Sequence, residues 1–289
     1  MASYPPHPLR PYPPLVVNAA LTGMVPRRER VPHVPVTAEQ IVADAVACFQ
    51  AGATIVHLHA RRPDEEPEWR REAYGPVIAE LRHRCPGLVV CVSTSGRTYP
   101  ELDKRVDVLT LAGHEKPDMA SLTLGSLNFR DTASLNAPQT IVALAERMRD
   151  AGIRPELEVF DSGMAVLAHQ LLDKGVLDPP LYANLLLGAP NTAPATARDL
   201  AFLADALPGD TVWAAAGIGA FQLPMNAIAV FMGGHVRTGL EDSPYLRYDE
   251  RVPATNVQLV ERAVQLAAVA GRRPATVEET RALLGLASA

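Results

Sequence analysis

Aromatic residues make up only 5% of the 289-residue sequence, which leaves few platforms for stacking unpaired bases. Basic runs are equally scarce. None is longer than Arg27-Arg28-Glu29-Arg30, and the formal net charge is −5, so no nucleic-acid partner is expected. No apolar stretch approaches the ~18 residues needed to span a bilayer, so no membrane partner is expected either. The proline-rich start, Met1–Pro14, lacks the apolar core of a signal peptide. The three cysteines, Cys48, Cys85 and Cys91, are an odd number without metal-ligand spacing. They read as reduced thiols of a soluble, cytoplasmic protein. Lysine occurs only at Lys104, Lys116 and Lys174. None falls inside an apolar strand, where an imine-forming lysine is desolvated to lower its pKa, so lysine-imine carbon–carbon chemistry is disfavoured.

What is present is a sizeable core, with 48% hydrophobic residues, and a regular alternation. Strands are expected at Leu15–Leu21, Thr54–His59, Leu88–Ser93, Met119–Leu122, Glu156–Phe160, Leu181–Leu187, Thr211–Ala216 and His235–Gly239. Helical patterns fall between and after them, at Ala38–Ala51, Trp69–Arg84, Gln139–Ala151, Gly163–Lys174, Ala195–Ala206, Pro224–Phe231 and Ala254–Ala270. Capping boxes at Thr37/Gln40 and Thr276/Glu279 mark two helix starts. The stretch Tyr99–His114 reads as strand or helix end. Eight β/α repeats without a composition break imply an α/β fold, a single (β/α)8 TIM-barrel domain over residues 1–289. A proline-rich arm (1–14) precedes it and a tail helix (276–285) closes it. The rival open sheet lacks a G-x-G-x-x-G after its first strand; Gly217-Ile218-Gly219 is as readily a tight turn.

The strongest local pattern is Ile55-Val56-His57-Leu58-His59. Side chains alternate along a strand, so His57 and His59 share a face above Ile55, with Val56 and Leu58 toward the helices. Such a pair at the C-terminal end of a barrel strand suits a metal or a hydrogen-bonded histidine pair. His235-Val236-Arg237-Thr238-Gly239-Leu240-Glu241-Asp242 ends the eighth strand, which neighbours the first in a closed barrel. Glu241 can complete a His2Glu zinc set with one open position. Asp242 is then free for proton transfer, and Arg237 can hold its charge. Ser93-Thr94-Ser95-Gly96 and Ser121 offer hydroxyls and N–H groups to a carboxylate. Glu156 and Glu158, on one face of strand five, need a cationic partner, for which Arg237 is the candidate.

Taken together these residues resemble the β-keto acid cleavage enzyme family. The resemblance runs from Asn18-Ala19-Ala20-Leu21-Thr22-Gly23 to Arg281-Ala282-Leu283-Leu284. It includes Ala51-Gly52-Ala53-x-x-x-His57-Leu58-His59, Ser126-Leu127-Asn128-Phe129, Pro155-Glu156-Leu157-Glu158-Val159 and Gly233-Gly234-His235-x-Arg237-x-Gly239-x-Glu241-Asp242. It implies a zinc-dependent TIM barrel, tending to tetramers, that converts a β-keto acid and acetyl-CoA into acetoacetate and a new acyl-CoA. By the same resemblance His57, His59 and Glu241 hold Zn2+. Ser93, Ser121 and the N–H groups around Gly96 meet the substrate carboxylate. Asp242, with Arg237 and Glu158, handles the C2 proton. The family has threonine where this chain has Ser121. Its lysine-fermentation member has a glutamate for the substrate ammonium where this chain has Val25, so a neutral or apolar substrate tail is expected here. Arg27, Arg28 and Arg30 follow in that loop and suit an anionic tail, CoA phosphates or plain solvation. A metal-dependent hydrolase of amidohydrolase type is the alternative. It is weakened because strand one has no histidine. A class II aldolase lacks a clear phosphate loop, and a barrel kept only for binding or assembly sits poorly with five intact site residues.

Overall fold

The computed structural model describes residues 12–288. Eight parallel strands close into a barrel: β1 Val17–Ala20, β2 Ile55–Leu58, β3 Val89–Val92, β4 Met119–Thr123, β5 Arg154–Val159, β6 Tyr182–Leu187, β7 Val212–Gly217 and β8 His235–Thr238. Each strand pairs with its neighbours in sequence, and β8 pairs with β1, with Asn18 opposite Arg237. The helices are α1 Ala38–Gln50, α2 Arg71–Arg84, α3 Leu102–Val106, α4 Pro138–Asp150, α5 Ser162–Asp173, α6 Ala197–Asp205, α7 Gln222–Phe231, α8 Asn256–Val269 and α9 Val277–Leu283.

Strand periodicity sorts the core into two bodies. Val56, Leu58, Val90, Val92, Leu122 and Leu157 face outward and bury against the helices, each worth roughly 1.5–3 kcal/mol of transfer. Val16, Ile55, Val89, Cys91, Met119, Tyr182 and Ala214 face inward and fill the lower barrel. Ala275 and Leu284, flanking α9, join that inner cluster. The tail helix therefore closes the barrel floor. It is fastened there by Thr280 donating to Thr54 at 2.8 Å and by the Arg281–Asp118 pair at 2.9 Å. With the bottom sealed by apolar packing, the polar residues of the inner face gather at the C-terminal mouth.

Local chemistry explains the element ends. Both expected capping boxes form, and Thr255 with Gln258 makes a third at α8. The α2 helix begins two residues later than its pattern suggests, because Pro67–Glu68 pairs with Ala60–Arg61 in a short antiparallel ribbon. Tyr99–His114 contains no barrel strand. Its charged Leu102–Val106 makes a short helix, followed by two 3-10 turns. Of the proline-rich arm, residues 1–11 lie outside the described residues. Its described end docks on its own chain, where Arg272 donates to the Pro13 carbonyl at 2.9 Å.

One residue outside the barrel ties the mouth together. Asn256, first residue of α8, accepts from the Leu240 N–H and donates to the Leu21 carbonyl, clamping the ends of β1 and β8. Its amide also donates to Asp44 of α1 at 2.6 Å. Burial pushes the Asp44 carboxyl up to about 6 from 3.8, against that hydrogen bond. A raised folded-state value means the group favours folding while neutral and loses that contribution as pH rises through about 6. Asp44→Asn is therefore expected to stabilise at pH 7 by about 1–3 kcal/mol and by much less near pH 4. Thermal melts at the two pH values test this; equal shifts at both would show that the charge is not the cause.

Candidate active site

His57, near the end of β2, and His59, just beyond it, project to the same side of the mouth, as their two-residue spacing requires. Their Nε2 atoms lie 3.2 Å apart. Glu241 reaches in from the loop after β8, with Oε1 3.4 Å from His59 Nε2 and Oε2 3.9 Å from His57 Nε2. Two ligands ~2.1 Å from one tetrahedral ion sit roughly 3.4 Å apart, so these spacings match a common metal. Glu241 Oε2 is buried without a hydrogen-bond partner, which a cation would supply. The three residues fit a His2Glu centre.

The loop that delivers Glu241 is shaped by backbone crowding. Gly239 adopts φ +153, and a Cβ there would meet the Ala20 carbonyl oxygen at 2.0 Å. The chain passes so close to β1 that only glycine fits. Glu241 N–H then donates to the same Ala20 carbonyl at 3.2 Å.

Beneath the triad lies a buried network. His57 Nδ1 donates to Glu156 Oε2 at 2.6 Å, Asn18 Nδ2 donates to Glu156 Oε1 at 2.7 Å, and Cys91 Sγ donates to Oε2 at 3.3 Å. This arrangement keeps one His57 proton on Nδ1 and makes Nε2, which faces Glu241, the nitrogen that would bind a metal on losing its proton. Glu156 has its expected partner, Arg237, at longer range. His57 is its close partner, and Arg237 Nη1 stands 3.8 Å away. Burial opposes charge on both members of the pair. Even so, the Glu156 and Glu241 carboxylates push His57 up to about 8, while His57 and Arg237 hold Glu156 down at about 2.

Arg237 is 1% exposed and stands at the centre of the carboxylates. Nε donates to Asp242 Oδ2 at 3.0 Å and Nη2 to Glu241 Oε1 at 2.8 Å. Nη1 faces Glu158 Oε1 at 3.8 Å and has no hydrogen-bond partner. Glu158 also accepts from Thr123 Oγ1 at 2.6 Å. Burial pushes both Asp242 and Glu158 above the usual carboxylate range, despite Arg237 beside them. Burial and the Coulombic pull of its neighbours act oppositely on Glu241. There His59 and Arg237 win, and its carboxyl is held well below the usual range. One guanidinium among four carboxylates leaves the mouth short of positive charge, the electrostatic setting in which a divalent cation is held.

A cavity of about 390 Å³ opens above this cluster, lined by His59, Glu158, Arg237, Glu241 and Asp242. Ser93 and Val25 line it as well. Ser121 and Gly96 do not. Ser121 is buried, with Oγ accepting from the Thr94 N–H at 3.1 Å and its carbonyl from the Thr94 hydroxyl at 2.5 Å. A Cβ on Gly96 would meet Arg105 Nη1 at 2.7 Å. Both residues help set the shape of the Ser93–Gly96 loop. In the loop after β1, Arg27 pairs with Glu66 at 3.0 Å and the Arg28 N–H donates to Glu65 at 2.9 Å, while Arg30 lines the cavity. Sequence reasoning missed Asn18, which sits within a recognised motif but gives no chemical signal alone. It also missed the cavity-lining Arg97, Phe129 and Arg130, which come from irregular loops.

Glu156→Gln keeps the shape of the network but removes the charge that holds the His57 proton. Removing such a partner typically costs about 10–100-fold in metal affinity. We expect that loss in a Zn2+ competition titration against a chelator, with the fold intact by circular dichroism. An unchanged affinity would show that Glu156 serves packing alone.

Comparison with known proteins agrees with this geometry. The family model for beta-keto acid cleavage enzyme matches residues 14–286. The chain is 36% identical to the 3-keto-5-aminohexanoate cleavage enzyme of Acetoanaerobium sticklandii, over 94% of this chain and 98% of that protein. It is 38% identical to the 3-oxoadipate:acetyl-CoA acetyltransferase of Cupriavidus necator, over 95% and 96%. Among solved structures, apo ObcA matches with a TM-score of 0.77 at 20% identity, a likeness of fold alone. That match covers 88% of this chain and 66% of the longer solved chain. The family match spans nearly all the described residues and includes every member of the mouth cluster, so this chain is an enzyme of the β-keto acid cleavage family.

Proposed function

We propose that this enzyme is zinc-dependent and, like the relatives named for acetyl-CoA, transfers an acyl group between a β-keto acid and that thioester. The products are acetoacetate and a new acyl-CoA. The observation that carries the reading is the convergence of His57, His59 and Glu241 beside the Arg237–Asp242 pair, at the base of a cavity sized for a small acid. Zinc held there supplies Lewis-acid stabilisation of negative charge developing on the keto oxygen.

The protein's own groups account for the remaining steps. The Ser93 hydroxyl and the N–H groups of its loop hold the substrate carboxylate, with Ser121 and Gly96 keeping that loop in place. Asp242, raised by burial yet aligned by Arg237, takes a proton from C2 and leaves an enolate. The enolate carbon attacks the thioester carbonyl of acetyl-CoA and CoA thiolate departs. The thiolate then adds to the original keto carbon, the C2–C3 bond breaks, and acetoacetate leaves as its enolate. Asp242 returns the proton, so atoms and charge balance over the cycle. Glu158 and Arg237 keep the Asp242 side chain oriented.

The metal-dependent hydrolase alternative loses support to the family match, and β1 carries Asn18 where such enzymes need histidine. Val25 lines the cavity where a carboxylate would meet a cationic tail, which supports a substrate whose tail bears no positive charge. We place the enzyme in the cytoplasm as one catalytic domain per chain, in keeping with three free, buried cysteines. The tetramer implied by the family resemblance belongs to the same proposal. Exposed Phe202 on α6 and Leu223 and Phe231 on α7 would gain cover in it.

Acetoacetate formation should be measured with acetyl-CoA and β-keto acids bearing cationic, neutral, apolar and anionic tails. Turnover that is chelator-sensitive and weakest with the cationic tail is expected; none with any tail would sink the reading. Asp242→Asn should lower kcat by about 10²–10⁴-fold, the usual contribution of a positioned proton-transfer group, with KM changed far less. A kcat near that of the parent would remove Asp242 from proton transfer.

A further inference from the structure

The far end of the cavity differs from its base. The base is dominated by carboxylates gathered on Arg237. The lining beyond them carries three further arginines, Arg30, Arg97 and Arg130, against one acid, Asp131. Arg30 stands in the loop after β1 and Arg130 at the tip of a short ribbon whose strands are Leu127–Asn128 and Ala133–Ser134. Arg97 lies in the loop between β3 and α3, three loops meeting over one space.

Arg97 is the most constrained of the three. Its guanidinium lies 4.0 Å from the centroid of the Phe129 ring. Phe129 is held in turn by an edge contact with Phe160, with centroids 5.9 Å apart and rings at 86°. Stacking fixes the guanidinium plane and leaves its N–H edge free. The Arg97 side chain forms no ion pair with any described carboxylate, although Asp131 acts on it from a distance. The only hydrogen bond from this residue among the described residues is backbone, from its N–H to Ser95 Oγ. A partly buried, pre-oriented guanidinium without a partner is poorly compensated alone and well suited to a planar oxyanion.

We propose that Arg97, seated on Phe129, is the receptor for an anionic substrate tail, so that the preferred β-keto acid carries a second carboxylate at its far end. This rests on the β-keto acid reading of the site. It goes beyond the neutral or apolar tail that Val25 alone suggests. Val25 is 56% exposed; it offers a cation no partner and does not choose among the remaining tails. Arg97 makes that choice. Arg30 and Arg130 add long-range attraction that salt screens, whereas the stacked Arg97 supplies the directional contact.

The test uses full-length enzyme with acetyl-CoA and β-keto acids of equal length ending in carboxylate or carboxamide. The parent enzyme should favour the carboxylate in kcat/KM by at least about tenfold, the scale of one charge-assisted contact. Arg97→Met preserves the apolar stack and should bring that ratio toward one by raising KM for the dicarboxylate; Arg97→Lys should restore part of it. A parent ratio near one, or a ratio unchanged in Arg97→Met, overturns the proposal. Calorimetry with an unreactive dicarboxylate and its monoamide reads the same subsite without turnover. Absence of acetoacetate from every substrate would defeat the reaction reading, yet dicarboxylate-selective binding lost in Arg97→Met would still support this subsite. Equal binding of the two ligands by the parent would overturn it.

Discussion

Arg237 carries a full positive charge at a position with almost no access to water, and it holds that charge only because carboxylates from two parts of the chain surround it. Glu156 and Glu158 come from β5; Glu241 and Asp242 come from the loop that Arg237's own strand enters. A buried ion without partners would cost several kcal/mol, so the barrel must close in the one register that brings these groups together. The same requirement explains the surplus of negative charge. Four acids around one guanidinium do not balance, and His57 is drawn toward its charged form as a result. The chemistry proposed for the mouth uses this imbalance, holding a divalent cation on one side and a proton-accepting Asp242 on the other.

The division between base and rim follows from how a barrel is built. Strand ends present side chains at fixed positions, because each neighbour is hydrogen-bonded along its length, and the reacting groups stand there. Loops carry the parts that distinguish one substrate from another. The loop bearing Val25 is not free to move, however. Buried Arg61 donates to the Gly23 and Pro26 carbonyls, each at 2.7 Å, and fastens it to the ribbon after β2. The Arg97 loop is likewise fixed, by Arg105 donating to the Thr94 carbonyl at 2.7 Å. On the proposed reading, specificity rests on loops that are braced before substrate arrives, which lowers the ordering cost of binding.

Much of this was legible before folding. The strand and helix centres follow from periodicity, and the His57/His59 pairing follows from the two-residue repeat of a strand. Glu241 and Asp242 were legible because a closed barrel makes its last strand the neighbour of its first. Less visible were contacts across the barrel. Asn18 and Glu156 are 138 positions apart, and no local pattern links them. The pairing of Glu156 with Arg237 was legible but its closer link to His57 was not, since sequence shows that a buried acid needs a cation but not which cation is nearer. Ser121 was legible as a hydroxyl at a strand end. Its hydrogen bonds with Thr94 depend on the packed position of the neighbouring loop.

By itself the sequence determined the repeat of β and α elements, the inward face of each strand and the residue types at each strand end. It also carried the family resemblance. Those properties are local, set by side-chain alternation, capping and apolar spacing, and they hold wherever the segment sits. The tertiary structure decided which charged group meets which, how the tail helix seals the floor so that polarity gathers at the mouth, and how three arginines from separate loops come to face one cavity. Those outcomes depend on distances between residues remote in sequence, and Coulomb and hydrogen-bond energies change sharply over an ångström or two. Only the closed barrel sets those distances.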